Sequence, residues 1–484
     1  MNRKMVSRIL GIVLLSQAIL MLLPTFVGLY YGDSIKCFLI TIGILLVSGF
    51  VLTLFKPKNK TIYSREGFMI VSLGWILMSL FGALPFYISG EIPSYVDALF
   101  EAVSGFTTTG ASILTNVEAM SHSLLFWRSF THWIGGMGVL VFVMAVLPLA
   151  GGGGNIFLMK AESPGPDVGK LVPKSISTAR ILYGIYLFMT VAEIITLKIG
   201  GLGFFESVTL SFGTAGTGGF GIMNDSIAGY DVHIQVIIGI FMALFGVNFN
   251  LYFFVLCGKI KDVLKNEELR AYLIIMLSAI FIIAVDIRNR YASGAMALHT
   301  AAFQVSSVMT TTGYSTVDFN QWPELSKMVM LMVMCVGGCA GSTAGGLKVA
   351  RILLLLKNVK REFKRLIHPR SVSIIRYDGK RVSNDVAQST NVYLTVYMLI
   401  FVCSILLISF DNKDMTSNVT GVIATFNNIG PGLGIVGAAG SFAPYSPFSK
   451  VVFIIDMLLG RLEIFPLLLM FSTKMKSKKI SERS

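Results

Sequence analysis

Histidine and cysteine are scarce in this chain, five of each among 484 residues. Work on a reacting bond inside a membrane needs a nucleophile, a base or metal ligands brought together; none of the histidines is clustered, so an enzyme is excluded. Cys37, Cys257, Cys335, Cys339 and Cys403 are odd in number and scattered through apolar or basic stretches, which excludes a disulfide framework. Cys335 and Cys339 stand one helical turn apart, but with no histidine or further cysteine beside them helix packing accounts for them better than a metal site. No Walker A or dinucleotide fingerprint is present, so any nucleotide sensitivity has to come from another subunit. Charge is also thin. Only 14% of residues are charged against 54% hydrophobic, and the mean hydropathy is +0.73, which excludes an ordinary soluble domain.

What is abundant is apolar sequence. Ile9–Tyr31 and Cys37–Phe55 each exceed the roughly 18 residues that suffice to cross a bilayer, and further stretches follow. The first run succeeds a basic start, MNRKMVSR, but is too long for a signal peptide and lacks a small-residue cleavage site, so it reads as a retained helix. The net charge of +14 does not point to nucleic acid. The basic residues gather in segments 1–8, 56–66, 150–180, 257–270, 351–381 and 474–484, which the positive-inside rule sets in the cytoplasm together with both termini. The intervening outer stretches carry Glu91, Asp97, Asp225, Asp231, Asp318, Asp411 and Asp414; this is either ordinary topology charge or a field that concentrates cations at an entrance. The membrane lipid is a partner, and the basic 357–381 segment suits anionic headgroups or a docking surface.

Between basic segments a unit recurs four times: a long apolar helix, a shorter half-polar stretch ending in glycine, and a second long helix. The first helices are expected at Phe68–Tyr87, Ile181–Leu197, Ala271–Asp286 and Val392–Phe410, the second at Leu124–Leu149, Val232–Cys257, Leu325–Leu356 and Phe448–Phe471. The fold class is an all-α membrane protein, with two N-terminal helices plus four helix/pore-loop/helix repeats in pseudo-fourfold arrangement around a central pore. The chain divides into a preface at 1–62, repeats at 63–155, 175–262 and 266–358, a basic connection at 359–390, a fourth repeat at 391–475 and a tail at 476–484.

The middle stretches read YVDALFEAVSGFTTTGASIL, FFESVTLSFGTAGTGGFGIM, LHTAAFQVSSVMTTTGYSTV and SNVTGVIATFNNIGPGLGIV. Each holds a helix former too short to span, then a loop centred on Gly110-Ala111, Gly219-Phe220, Gly313-Tyr314 or Gly432-Leu433, with Gly430 and Gly434 as competing centres for the fourth. Non-helical backbone at membrane depth strands its carbonyls unless they meet water or a cation. Four such loops about one axis can replace the hydration shell of potassium, glycine allowing φ/ψ values a Cβ would penalise. The half-helices point their carbonyl ends at the same place, which favours a cation. One TTTG alone is a turn; four at roughly 100-residue spacing form a repeat.

The run GGCAGSTAGG at 337–346 breaks the second helix of the third repeat; it either permits close helix packing or lies as a loop beneath the four loops. Arg461, inside the last apolar helix, must face the bundle interior or a water-filled cavity, or pair with a carboxylate on another helix. Glu193 is a second intramembrane charge, either a packing element or an ion or proton site. His122 and His132, beside Trp127 and Trp133, suit an outer aromatic belt and are given no chemistry.

With TTTGAS at 107–112, GGCAGSTAGGLKVAR at 337–351, NNIGPGLG at 427–434 and GRLEIFP at 460–466, nearly the whole chain resembles the Trk/Ktr/HKT superfamily of potassium transporters, and the TrkH branch in particular. The two-helix preface favours that branch. The resemblance implies potassium uptake, with potassium ion as the bound species and no organic cofactor. It implies coordination around Thr109-Gly110, Gly218-Gly219, Thr312-Gly313 and Pro431-Gly432, within a filter formed by Thr108, Thr109, Gly110, Thr217, Gly218, Gly219, Thr311, Thr312, Gly313, Gly430, Pro431 and Gly432. It implies a gate in the loop carrying Gly337, Gly338, Ala340, Gly341, Ser342, Gly345, Gly346 and Lys348, and Arg461 lining the pore under the filter. Related plant transporters with serine at the first filter glycine carry sodium, so Gly110 points to potassium. A homodimer in the bacterial inner membrane with a cytosolic TrkA-type nucleotide-binding ring is also implied. The alternative is a proton- or sodium-coupled symporter, for which the broken third-repeat helix and Glu193 speak.

Overall fold

The computed structural model describes residues 2–55, 57, 64–146, 176–370 and 373–471. Most of the basic 56–63 stretch, the basic residues of 150–175 and the tail from 474 lie outside the described residues. Six described helices are long and apolar enough to cross a membrane: Arg3–Tyr31, Lys36–Thr53, Arg65–Ser89, Ile181–Ile199, Glu267–Asp286 and Asn384–Asp411. The first two form the preface. They cross closely because Gly11 and Gly49 leave room: a Cβ on Gly11 would stand 2.6 Å from the carbonyl oxygen of Gly49.

Four short helices follow the first long helix of each repeat: Tyr95–Phe106, Phe204–Gly216, Gly294–Met309 and Met415–Phe426. At 16 residues or fewer they rise about 24 Å at most, less than a hydrocarbon core. Each starts on a polar cap that takes an otherwise stranded N–H. Ser94 accepts from Asp97, Ser293 from Met296 and Asp414 from Ser417, while Glu206 reaches back to the Gly203 N–H at 3.0 Å. Their C-terminal halves are buried almost completely, and all four converge.

The second helices of the second and fourth repeats depart from expectation, and that of the third is broken where the 337–346 run predicts. Only that of the first repeat, His122–Val146, is continuous through its described length. The unbroken helix expected over Val232–Cys257 is instead two, Val232–Phe245 and Phe249–Leu256, bent by 90°. The break is held: the Gly246 carbonyl accepts from the Cys339 N–H at 3.0 Å, the Phe249 N–H donates to Gly341 at 3.1 Å, and Asn248 caps the second piece through the Asn250 N–H. The third repeat stops at Val336 and resumes at Val349. The helix expected over Phe448–Phe471 ends at Arg461 and restarts at Phe465, with Glu463 and Ile464 at φ of 58° and 64°. The third-repeat break meets the other two: Thr343 Oγ1 donates to the Phe245 carbonyl, and Arg461 donates to the Thr343 carbonyl. In the connection after the third repeat the helix runs on to Ile367, and a hairpin pairs Arg376–Tyr377 with Lys380–Arg381. Asp378 at its turn accepts from the Glu267 N–H at 2.8 Å.

Candidate functional site: four loops in a ring

The loop after each short helix has the same backbone. Thr108, Thr217, Thr311 and Asn428 adopt φ of 54° to 57°, and two residues on Gly110, Gly219, Gly313 and Gly430 adopt φ of 73° to 99°. The residue between, Thr109, Gly218, Thr312 or Ile429, returns its N–H to the short helix at 2.8 Å in every repeat, to Ser104, Gly213, Ser307 and Ala424. Across a trans peptide the carbonyl points opposite to the N–H, so the carbonyls of Thr108, Thr217, Thr311 and Asn428 face away from their helices. None of the carbonyls of 108–110, 217–219, 311–313 or 428–430 accepts a hydrogen bond from a described residue. A β-branched residue in the left-handed region is strained by about 1–3 kcal/mol. Three threonines share that strain.

The loops touch in cyclic order. A Cβ added to Gly110 would strike the Gly218 carbonyl, one on Gly219 the Thr312 carbonyl, one on Gly313 the Ile429 carbonyl, and one on Gly430 would stand 2.8 Å from the Thr109 carbonyl. The first loop therefore abuts the second, the second the third, the third the fourth, and the fourth the first. Side chains stitch the seams. Asn428 donates to Thr109 Oγ1 at 2.9 Å, Tyr314 to the Leu210 carbonyl at 3.0 Å, and the Gly434 N–H to Asn320 at 2.8 Å. Above the ring lies a cavity of about 250 Å³ bounded by all four left-handed glycines.

The fourth loop corrects the alignment centred on Gly432. Gly430 is the residue equivalent to Gly110; Gly432 lies two residues further on, outside the left-handed region, donating its N–H to Val436 at 2.7 Å. Asn428, tolerant of positive φ, takes the threonine position.

Beneath the ring lies the 337–348 segment. The Gly345 N–H donates to Thr311 Oγ1 at 2.6 Å and the Gly346 N–H to the Asn427 carbonyl at 3.0 Å. Gly337, Gly341, Gly346 and Lys348 have positive φ. Gly338 accepts from the Val349 N–H, and Ser342 Oγ donates to the Cys339 carbonyl. Lys348 is buried, its ammonium on the Ala344 carbonyl. Glu268 accepts from the Ala340 and Ala350 N–H groups at 2.6 and 3.2 Å, fastening both ends of the segment. Arg461, half-buried, donates to the Thr343 carbonyl at 2.9 Å and to the Gly135 carbonyl at 2.6 Å. Its neighbour Glu463 pairs with Arg351, whose guanidinium lies 3.9 Å over the Tyr393 ring.

His132 and Trp127 are not at the outer interface: both are wholly buried, and His132 Nδ1 lies 2.9 Å from the Gly105 carbonyl with its ring against Phe220. Sequence reading also missed Glu101, Arg128, Asn428 and Glu268. The only local signal was a charged or amide side chain inside an otherwise apolar or small-residue stretch.

Buried polar backbone ringed by apolar helices, with no metal-holding group of His, Cys, Asp or Glu among the described residues, is the geometry of a membrane transport protein. Comparison with known proteins narrows the class. Residues 35–483 match the TrkH family, described as cation transport protein. The chain is 38% identical over 481 residues to the Trk system potassium uptake protein TrkH of Escherichia coli K12, covering 98% of this chain and 99% of that one. It is 34% identical to TrkG of the same strain over 97% of this chain and 98% of that protein. The crystal structure of the potassium transporter TrkH from Vibrio parahaemolyticus superposes with a TM-score of 0.88 at 34% identity, over 98% of this chain and 99% of that one. This chain belongs to the TrkH family, whose members are membrane-embedded transport proteins and not enzymes.

Proposed function

We propose that the chain takes up potassium across the bacterial inner membrane, with the four-loop ring as its selectivity filter. The observation that carries this reading is the closed ring of backbone carbonyls that no described group hydrogen-bonds. A buried carbonyl without a donor costs about 1–3 kcal/mol, a debt a dehydrated cation removes. Short helices ending at the ring add their negative ends. The potassium in the relatives' names agrees with this.

The 337–348 segment, tied to Thr311 from below, serves as the gate, and Arg461 holds it from the side of the fourth repeat. Regulation comes from a cytosolic TrkA-type ring acting on a homodimer with both termini inside. Val349–Ile367 supports a docking role, for it leaves the gate directly and exposes Leu356, Val359, Phe363 and Leu366 on one face, with Lys360, Arg361 and Lys364 on another.

Purified protein in liposomes, assayed for potassium against sodium flux with and without Gly110→Ser, tests the reading. Potassium-selective flux degraded by the substitution is expected, because any side chain at residue 110 strikes the second loop. Flux that ignores both ion identity and the substitution would sink it. Glu193, wholly buried, is the feature that favours coupled transport; a reversal potential that moves with the proton or sodium gradient would establish that alternative.

A further inference from the structure

The four loops are alike in backbone but not in what stands behind them. At the seam between the first and second loops sits a buried ion pair, Arg128 with Glu101, Nε to Oε1 at 2.6 Å, with side chains 4% and 0% exposed. We propose that these two are specificity-determining positioning residues: together they fix the separation of the first and second loops and so the ring's preference between potassium and sodium. The inference rests on the reading of the ring as the ion path.

The contacts show what the pair holds. Glu101 accepts from the Ser112 hydroxyl at 3.0 and 3.2 Å and from the Ile113 N–H at 3.1 Å, just past Gly110. Arg128 donates through Nη1 to the Gly221 carbonyl at 2.8 Å and lies 3.5 Å over the Phe220 ring, just past Gly219. One carboxylate thus grips the exit of the first loop, one guanidinium the exit of the second, and the two grip each other. Arg128 also borders the outer cavity. Its charge stands beside any cation descending to the ring, and Glu101 neutralises it.

Comparison among the repeats shows that this device is local. Glu101 lies seven residues before Thr108; the residues seven before Thr217, Thr311 and Asn428 are Leu210, Gln304 and Gly421. Gln304 performs the same task without charge, its amide oxygen turned to the Ser315 hydroxyl at 3.2 Å and the Thr316 and Val317 N–H groups at 2.9 and 3.2 Å. In the fourth repeat the neighbouring Thr420 does so with its hydroxyl, 2.9 Å from the Leu433 N–H. A neutral amide therefore suffices to hold a loop exit. Buried ion pairs are often replaceable without loss of stability, so what the charged pair adds is a stiff, charge-assisted link across a seam.

The test uses the full chain in planar bilayers: potassium-to-sodium permeability ratios from bi-ionic reversal potentials, with thermal unfolding alongside. Glu101→Gln and Arg128→Gln are each expected to lower the ratio roughly tenfold, the scale of one lost charge-assisted hydrogen bond. Glu101→Gln is also expected to reduce potassium current more at low than at high ionic strength, because Arg128 is then uncompensated. The double variant, with neutral amides as in the third repeat, is expected to fold like the wild type and to recover current at low ionic strength but not the full ratio. If either single variant fails to fold, the double variant decides. A selective wild type whose folded variants keep its ratio overturns the inference and leaves the ring reading intact. A wild type with no potassium preference overturns both.

Discussion

The backbone N–H of Gly345 donates to the hydroxyl of Thr311 at 2.6 Å, so the segment under the ring is bonded to a residue of the ring itself. Ring and segment are one hydrogen-bonded unit at this point; on the proposed reading of the ring as filter and the segment as gate, opening has to break or remake that bond. Thr311→Val keeps the branched shape and removes the acceptor, leaving a partly buried N–H without its partner, at a cost of up to about 1–3 kcal/mol. Basal potassium flux in liposomes is expected to rise several-fold at unchanged protein incorporation. Flux at or below the wild-type level would show that the bond does not hold the segment closed.

Gly430 and Gly432 separate the two registers of the fourth loop. At Gly430 the positive φ and the Thr109 carbonyl oppose a side chain, so Gly430→Ala is expected to abolish selective flux. Gly432→Ala presses on the Thr420 hydroxyl and Val436 at 2.9 Å, outside the ring. That variant is expected to lose stability by about 1–3 kcal/mol while keeping its ion preference. Equal loss of selectivity in both would return the centre of the loop to Gly432.

Glu268 binds two backbone donors with one oxygen. Glu268→Ala strands both, whereas Glu268→Gln keeps an acceptor at the same place. The alanine variant is expected to unfold at clearly lower temperature in detergent and to be cut by protease within 337–348, and the glutamine variant to resemble the wild type. Identical melting of all three would remove Glu268 from the segment's support.

Asp414 caps the fourth short helix, and its hydrogen bonds to the Ser417 side chain and N–H hold its carboxyl below the usual carboxylate range. A depressed folded-state value means stabilisation that is present above the unfolded value and lost as pH falls through the folded one. Asp414→Ala is expected to cost about 0.5–1 kcal/mol at neutral pH, with the gap to wild type closing only in acid. Asp414→Asn, still an acceptor, is expected to lack that acid dependence. A wild-type advantage that persists unchanged to pH 2 would contradict the assignment.

The repeat and its glycines were legible because they are local: a 10-residue helix former followed by Thr, Ser and Gly is a pattern in the chain itself. The 337–346 break was legible for the same reason. What stayed hidden was set across the chain. FGVNFN reads as a continuous apolar helix, and only the third-repeat segment, which takes the Gly246 carbonyl and supplies the Gly341 acceptor, turns it through 90°. The fourth register failed because three glycines in five residues, Gly430, Gly432 and Gly434, give composition no means of choosing; contact with Thr109 decides it. Arg128 and Glu101 are 27 residues apart on different helices, with no periodicity to link them. His132 looked peripheral beside tryptophans, yet its helix turns that face inward against the first and second loops.

The ring is closed by one polypeptide whose quadrants differ. In an assembly of identical subunits a single mutation is copied into every quadrant at once, and any change near the axis is tried fourfold or not at all. Here one codon alters one quarter of the circle. Glu101, Leu210, Gln304 and Gly421 stand at matching positions, and on the proposed reading of the ring, ion preference in this architecture can be retuned in small steps, one wall at a time.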